Sequence, residues 1–190
     1  YSVTDALDIA RSHPDKKVVF LGVGFETTAP TVAASIIEAK KKGIRNYTVL
    51  CAHKVIPPAM SALVNTGELD LNGFICPGHV SAIIGSRPYE PVARAHRIPC
   101  IITGFEPLDI MQAVLMLVRQ VKEGTSRVEI QYRRVVKEEG NAKALDAMNE
   151  AFEACDSEWR GIGRIPMSGL RVRKDFSDYD AEAEFTISPE

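Results

Sequence analysis

A chain of 190 residues with 23 basic and 25 acidic side chains, a net charge of -2 and 45% hydrophobic residues can bury the core of one sizeable α/β domain, or parts of two smaller ones, without disulfides or metal. The charges are dispersed rather than gathered into a basic stripe, which argues against nucleic acid as a partner. No apolar run reaches the roughly 20 residues that span a bilayer and no secretory pattern opens the chain, so the expectation is a soluble cytoplasmic protein with no membrane partner.

Ser2 or Thr4 is placed to cap a helix from Asp5 to Arg11, and with Tyr1 where an initiator methionine would stand the chain reads as a segment of a longer protein. The first strand-like run, Lys17 to Val23, is almost continuously apolar, as in a parallel strand covered on both faces. It leads into Gly24-Phe25-Glu26-Thr27-Thr28-Ala29-Pro30, which is neither a Walker loop nor a full dinucleotide fingerprint. Two readings of this turn are open: Thr27 or Thr28 caps the next helix, with Pro30 in its first turn, or the free N-H groups of the helix start receive an anion or carboxylate. That helix, Thr31 to Lys42, stops at Gly43 behind three lysines, the expected C-terminal signal.

The second strand, Tyr47 to Ala52, runs into Cys51-Ala52-His53-Lys54; the plainer reading puts Cys51 in the core and leaves His53 and Lys54 solvated. After a helix from Pro57 to Asn65, the third strand, Gly73 to Cys76, ends in Pro77-Gly78-His79-Val80-Ser81. A histidine at a helix start is kept neutral by the dipole, free to ligate a metal or donate a hydrogen bond, though a structural role is equally open. Helices Val80 to Ile84 and Glu90 to His96 precede the fourth strand, Ile98 to Thr103, which ends in Gly104-Phe105-Glu106-Pro107. This second Gly-Phe-Glu turn suggests paired carboxylates across a shared cleft, suited to a cation, to acid-base work or to an amine; otherwise each glutamate caps its own helix.

The helix from Pro107 to Glu123 is so apolar between Leu108 and Val118 that both its sides are expected to be covered, with its methionines as core filler. Val128 to Tyr132 alternates like a half-exposed strand, Tyr132 to Lys137 fits strand or helix, and Asn141 to Cys155 reads as an amphipathic helix. Residues 159-190 read as an irregular connector. The fold class is therefore α/β, with mostly parallel sheets and flanking helices in a Rossmann-like three-layer arrangement, residues 1-158 forming an α/β core of one domain or of parts of two. Function is expected in the loops at the carboxyl ends of the strands. Cys51, Cys76, Cys100 and Cys155 stand apart without zinc-site spacing.

Three of these segments, Gly24 to Pro30, Pro77 to Gly85 and Gly104 to Ile110, resemble in order three signature segments of the HypD family, and Gln131 to Val136, Glu139 to Asn141 and Trp159 to Gly163 are similar to further ones. The resemblance implies a cytoplasmic maturation factor of nickel-iron hydrogenases. With a HypC-type chaperone it would carry an iron ion while that ion acquires carbon monoxide and two cyanides, the Fe(CN)2CO unit. HypE, working with HypF, would donate the cyanides, and the finished unit would pass to the hydrogenase large subunit. The family has two similar α/β domains around a cleft and a further domain with a 4Fe-4S cluster, toward which residues 159-190 would lead.

Carried over to this chain, the resemblance makes Glu26, Thr27, Thr28, His79, Ser81 and Glu106 cleft residues, with His79 also a candidate iron ligand. The family's iron, redox and cluster cysteines fall outside this sequence, so those roles do not pass to Cys51, Cys76 or Cys100, and the chain alone is expected to hold neither iron unit nor cluster. A rival of another class is a stand-alone α/β enzyme that binds a phosphorylated or carboxylated molecule at Gly24 to Pro30, with His79 as acid-base group and Glu106 as its partner. A third reading is a purely structural domain whose loops are caps.

Overall fold

The computed structural model describes residues 2-67 and 70-185; Tyr1 and residues 186-190, the last part of the expected connector, lie outside the described residues. Strands and helices alternate, and the parallel sheets are flanked by helices, as the α/β reading requires. The chain forms two compact units, residues 1-55 with 146-190 and residues 56-145. Among the described residues no helix is long and apolar enough to cross a membrane.

In the first unit α1 (Val3–Ser12) opens on a capping box. The Asp5 N-H donates to Ser2 Oγ at 3.2 Å and the Ser2 N-H to the Asp5 carboxylate at 2.9 Å, so Ser2 rather than Thr4 is the cap. Its far end is tied down by Asn46, whose side-chain amide donates to the carbonyls of Ala10, His13 and Lys16. β1 (Val18–Gly24), α2 (Ala29–Lys42) and β2 (Tyr47–His53) then make a β-α-β unit, the strands parallel from Val18 opposite Tyr47 to Gly24 opposite His53. α2 buries Val32, Ala33, Ile36 and Ala39, and its Ser35 hydroxyl bonds the Tyr47 phenol at 2.8 Å. It ends in left-handed Gly43, as expected. The double coverage expected of β1 is not found: Val19, Leu21 and Val23 are 42%, 65% and 67% exposed.

The carboxyl-terminal part corrects two expectations. α7 (Ala142–Ala151) stops before Phe152, where β6 (Phe152–Trp159) begins, and Gly163–Val172 is a ten-residue strand, β7, not an irregular connector. The two strands pair antiparallel with a register shift between Cys155 and Ser157. Glu153, Ala154 and Glu158 suit a helix locally, but cross-strand pairing decides the outcome, as it commonly does for strands. Ile165, Leu170 and Val172 are buried, and the surrounding glycine, proline and charge masked their pattern. A 3-10 turn (Lys174–Tyr179) and α8 (Ala181–Glu184) follow. Asp180 bridges Val49 and Gly169 bridges Lys54, so this segment lies along the edge of β2 away from β1.

The second unit contains α3 (Ile56–Asn65), β3 (Phe74–Pro77), α4 (Gly78–Ile84), α5 (Glu90–His96), β4 (Cys100–Thr103), α6 (Pro107–Glu123) and β5 (Val128–Ile130). Its sheet is parallel throughout, in the order β3-β4-β5. Met60, Cys76, Tyr89, Val92, Cys100, Ile102 and Val136 form one core cluster. After β5 the chain turns over residues 133-135, neither strand nor helix. α6 has the expected bounds but not the expected coverage. Ala113 and Gln120 are buried whereas Leu108, Met111, Leu115 and Val118 are exposed, so Met111 is not core filler. Gln120 takes the buried side because its amide is fully used, accepting from the Arg127 N-H at 2.7 Å and donating to Glu129 at 2.6 Å.

Candidate functional site

In the first unit the loop leaving β1 is a tight turn organised by one carbonyl. Phe25 O accepts from the N-H groups of Thr28 at 3.1 Å and Ala29 at 3.2 Å, and from the Thr28 hydroxyl at 3.1 Å. Gly24, at φ 139°, is required here: a β-carbon would run into the Thr28 hydroxyl, in a conformation other residues rarely adopt. Thr28 stands at the N-cap of α2, but its side chain makes no capping bond; it closes the turn instead, which corrects the capping expectation. Thr27 is exposed, and Glu26 is turned inward with 2% of its surface accessible.

Residues that the sequence reading treated as solvated or as connector frame this turn. The Lys54 N-H donates to Gly24 O at 2.9 Å, while its ammonium donates to the Ser157 hydroxyl and, at 2.8 Å, to the Glu158 carbonyl. Trp159 lies 6.1 Å from Phe25, ring to ring, and its indole N-H donates to Ser168 at 2.8 Å. His53 is not solvated either: it is 1% exposed, with its ring 5.8 Å from Phe152. Its Nδ1 lies 3.4 Å from Cys51 Sγ, which donates to Leu170 O at 3.2 Å. Burial pushes His53 down to about 4 and Cys51 up to about 12. At neutral pH the pair is therefore imidazole and thiol, not an activated thiolate.

In the second unit His79, the second residue of α4, is exposed and lies 4.6 Å from Phe105, ring to ring and tilted by 55°. Glu106 is the N-cap residue of α6, exposed and without a capping bond from its side chain. Ser81 is fully buried, its hydroxyl donating to Pro77 O at 2.9 Å and to the Tyr89 phenol at 3.1 Å. It fixes α4 and is not open to a ligand. The loops approach closely because two positions lack a β-carbon: at Gly78 one would strike the Thr103 carbonyl and the Tyr132 ring, at Gly104 the Asp109 carboxylate and the same ring.

A polar buttress lies beneath them. Arg134 makes two parallel bonds to Asp109 at 2.9 and 2.6 Å, and its guanidinium sits 4.3 Å over Tyr132. Gln131 donates to Asp109 at 3.0 Å and accepts from Thr103 at 3.1 Å. Arg134 foremost, then Gln131, hold the Asp109 carboxyl down at about 2. Sequence reasoning missed Asp109, Gln131, Tyr132 and Arg134 as site residues, although each lies inside a segment that carried the family resemblance.

The sequence-derived set is thus divided: Glu26, Thr27 and Thr28 lie in the first unit, His79, Ser81 and Glu106 in the second. Among the described residues no three His, Cys, Asp or Glu side chains gather as a metal donor set, and all four cysteines are free. The Cys100 sulfur beside it and burial push the Cys76 thiol up. Cys76 and Cys100 are buried side by side in the second unit, while Cys51 and Cys155 are half-buried in the first, so the four do not form the thiolate set that a 4Fe-4S cluster needs.

A model of the HypD family, described as the hydrogenase formation hypA family, matches residues 1-190. The chain is 46% identical over 195 residues to the hydrogenase expression/formation protein HupD of Azotobacter chroococcum, covering 100% of this chain and 52% of that protein. It is 46% identical over 194 residues to the hydrogenase maturation factor HypD of Cupriavidus necator, covering 98% and 51%. To a putative hydrogenase expression/formation protein of Methanocaldococcus jannaschii it is 42% identical over 180 residues, covering 95% and 50%. The chain spans about half the length of the curated relatives it matches.

Proposed function

This chain belongs to the HypD family of hydrogenase formation proteins, and on that premise we propose that, within a longer cytoplasmic protein, its loops hold an iron centre under assembly for a nickel-iron hydrogenase. The protein acts as a scaffold rather than a stand-alone enzyme. Its cargo is an iron ion acquiring carbon monoxide and two cyanides. A HypC-type chaperone shares the cargo, HypE with HypF supplies the cyanides, and the hydrogenase large subunit receives the product.

The observation that carries this reading is the second unit's loop edge. An exposed imidazole and an exposed carboxylate, His79 and Glu106, project from loops locked by Gly78, Gly104 and the Asp109-Arg134-Gln131 buttress. Such a surface presents a ring nitrogen to a metal, or an N-H to a cyanide nitrogen, with little reorganisation. It offers neither an activated nucleophile nor a Gly-rich phosphate cradle. The 4Fe-4S cluster of the family finds no donor set among the described residues of this chain, and no step of the reading runs through it.

The test uses the longer protein, purified anaerobically with its HypC-type partner. Its infrared spectrum should show both cyanide and carbonyl stretching bands, and these should be lost in His79→Ala and Glu106→Ala without a change in melting temperature. Unchanged bands in both variants would remove the site from the reading, and turnover of a phosphorylated or carboxylated small molecule by the chain alone would replace the scaffold with an enzyme.

A further inference from the structure

One cleft of the second unit lies at the amino-terminal ends of its strands, the end of the sheet opposite to His79 and Glu106. It measures about 630 Å³ and is bounded by the residues before β3 and β4, the last turn of α5 and the connection from α6 to β5. That volume is in the range of small-molecule sites. Arg94, His96 and Arg97 line it from the end of α5, Thr125 and Ser126 from the connection, and no Asp or Glu stands among the described residues of its wall. Leu71, Ile98 and Val121 give it an apolar side.

Three features of this cleft are not explained by the fold. Thr125 Oγ1 is buried without a hydrogen-bond partner, although the Thr125 N-H donates to Gln120 O at 2.9 Å. A buried hydroxyl in that state carries a desolvation cost that a ligand oxygen would remove. Arg97 holds φ 55° at the end of α5, the left-handed region in which α2 and α6 place Gly43 and Gly124. An arginine is strained there where a glycine is not, and its side chain has no bonded partner among the described residues. Charge is the third feature. Arg94 is matched by Glu90 at 2.7 Å, but no carboxylate pairs with Arg97. A helix end carries only about half a negative charge, and α6 covers its last carbonyls itself, through the Gly124 N-H to Gln120 O and Val121 O. One cation is therefore left over, beside two hydroxyls.

We infer that this cleft binds a phosphorylated small molecule: Arg97, Arg94 and the hydroxyls of Thr125 and Ser126 hold the phosphate, and Leu71, Ile98 and Val121 take an apolar body. Phosphate fits better than carboxylate because the donors come from two separate segments, residues 94-97 and 125-126. A phosphate shares three acceptor oxygens among such donors, whereas a carboxylate is served by one planar fork. Neither hydroxyl is bonded to His96, so no activated nucleophile stands at the phosphate, and the ligand is bound rather than turned over.

The test titrates the longer protein, without iron or partners, with inorganic phosphate and with phenyl phosphate at constant ionic strength, read by calorimetry and by residue-resolved amide shifts. Both probes should saturate, phenyl phosphate about tenfold more tightly through its ring, with shifts centred on Gly124, Thr125 and Ser126. Arg97→Gly and Thr125→Val should each weaken phosphate roughly tenfold at a melting temperature no lower than the parent's. Glycine suits the left-handed position, and valine replaces a hydroxyl that has no partner. No saturation with either probe, or unchanged affinity in both variants, would overturn the inference. So would acetate binding as tightly as phosphate, or shifts centred on Gly24 to Ala29 of the first unit. Equal affinity for the two probes would remove the apolar body, and a Thr125→Val variant that lost stability but kept its affinity would assign the hydroxyl to the fold and remove it from the site. The readout involves neither iron nor cyanide, so it stands or falls separately from the infrared test.

Discussion

In the first unit Gly24-Phe25-Glu26 leaves β1 with its glutamate 2% exposed and its phenylalanine against Trp159; in the second, Gly104-Phe105-Glu106 leaves β4 with its glutamate exposed and its phenylalanine against His79. The divergence begins in the two residues that follow. Thr27 and Thr28 insert a turn closed on Phe25 O before α2 starts at Ala29, and that turn swings Glu26 inward. Pro107 follows Glu106 directly and is already the first residue of α6, a position proline favours because it needs no donor there, so Glu106 stays at the rim. A shared tripeptide thus specifies a strand end, and the residues after it decide whether its carboxylate braces the fold or meets solvent.

The comparison breaks most severely at the close approaches. Gly78→Ala sets a β-carbon against a backbone carbonyl and an aromatic ring, and overpacking of this kind costs roughly 3 kcal/mol. Chemical denaturation should register that loss, and hydrogen exchange should place it in residues 56-145. An alanine variant as stable as the parent would mean that the loops are not in contact as described.

Acid separates the two units next. His53 has an ordinary value of 6.5 and is held at about 4 by burial. The unfolded chain therefore gains a proton that the folded one refuses, and stability is full above pH 6.5, falls as pH drops from 6.5 to 4, and is then flat for this group. The loss amounts to roughly 3 kcal/mol. Asp109 in the second unit is depressed to about 2 by Arg134 and Gln131; its contribution is present above its unfolded value of 3.8 and is lost only as pH falls toward 2. Between pH 6.5 and 4 the first unit should weaken while the second holds. His53→Gln should flatten the pH dependence of unfolding in that window, and an unchanged slope in the variant would mean that the buried imidazole is not its source.

Burying Glu26 should make its deletion costly. Removing a carboxylate from a site with 2% accessibility leaves whatever bonds it unsatisfied, so Glu26→Ala is expected to lose about 1-3 kcal/mol, measured as the shift in urea midpoint at unchanged slope.

What was legible beforehand follows the physics of each segment. α5 and α6 were bounded residue for residue because proline, glycine and charge mark helix ends locally, and four of the five parallel strands, β1 to β4, were found from their apolar runs. β7 was not, because its buried Ile165, Leu170 and Val172 are scattered among glycine, proline and arginine and acquire meaning only opposite β6. The loops were recognised as the place where function gathers, but Lys54, Trp159 and the Asp109-Arg134 pair join them through contacts 25 to 134 residues apart in the chain, beyond the reach of any local pattern. His53 and Ser81 show the converse: both sit in chemically suggestive segments, and both are buried in the packing.

Glu106 gives the smallest stability effect and the most discriminating one. Its side chain is exposed and makes no capping bond, so Glu106→Ala should move the melting free energy by less than about 0.5 kcal/mol, the range of surface substitutions that break no named interaction. If the two glutamates served the same structural purpose, the Glu106→Ala and Glu26→Ala losses would match. If instead Glu106 stands at the rim to meet a ligand, its removal leaves unfolding untouched and appears only in the infrared bands of the loaded complex. Stability and loading therefore separate at Glu106 and fall together at Glu26. Measuring both properties in both variants decides between a glutamate kept for the fold and one kept for the cargo.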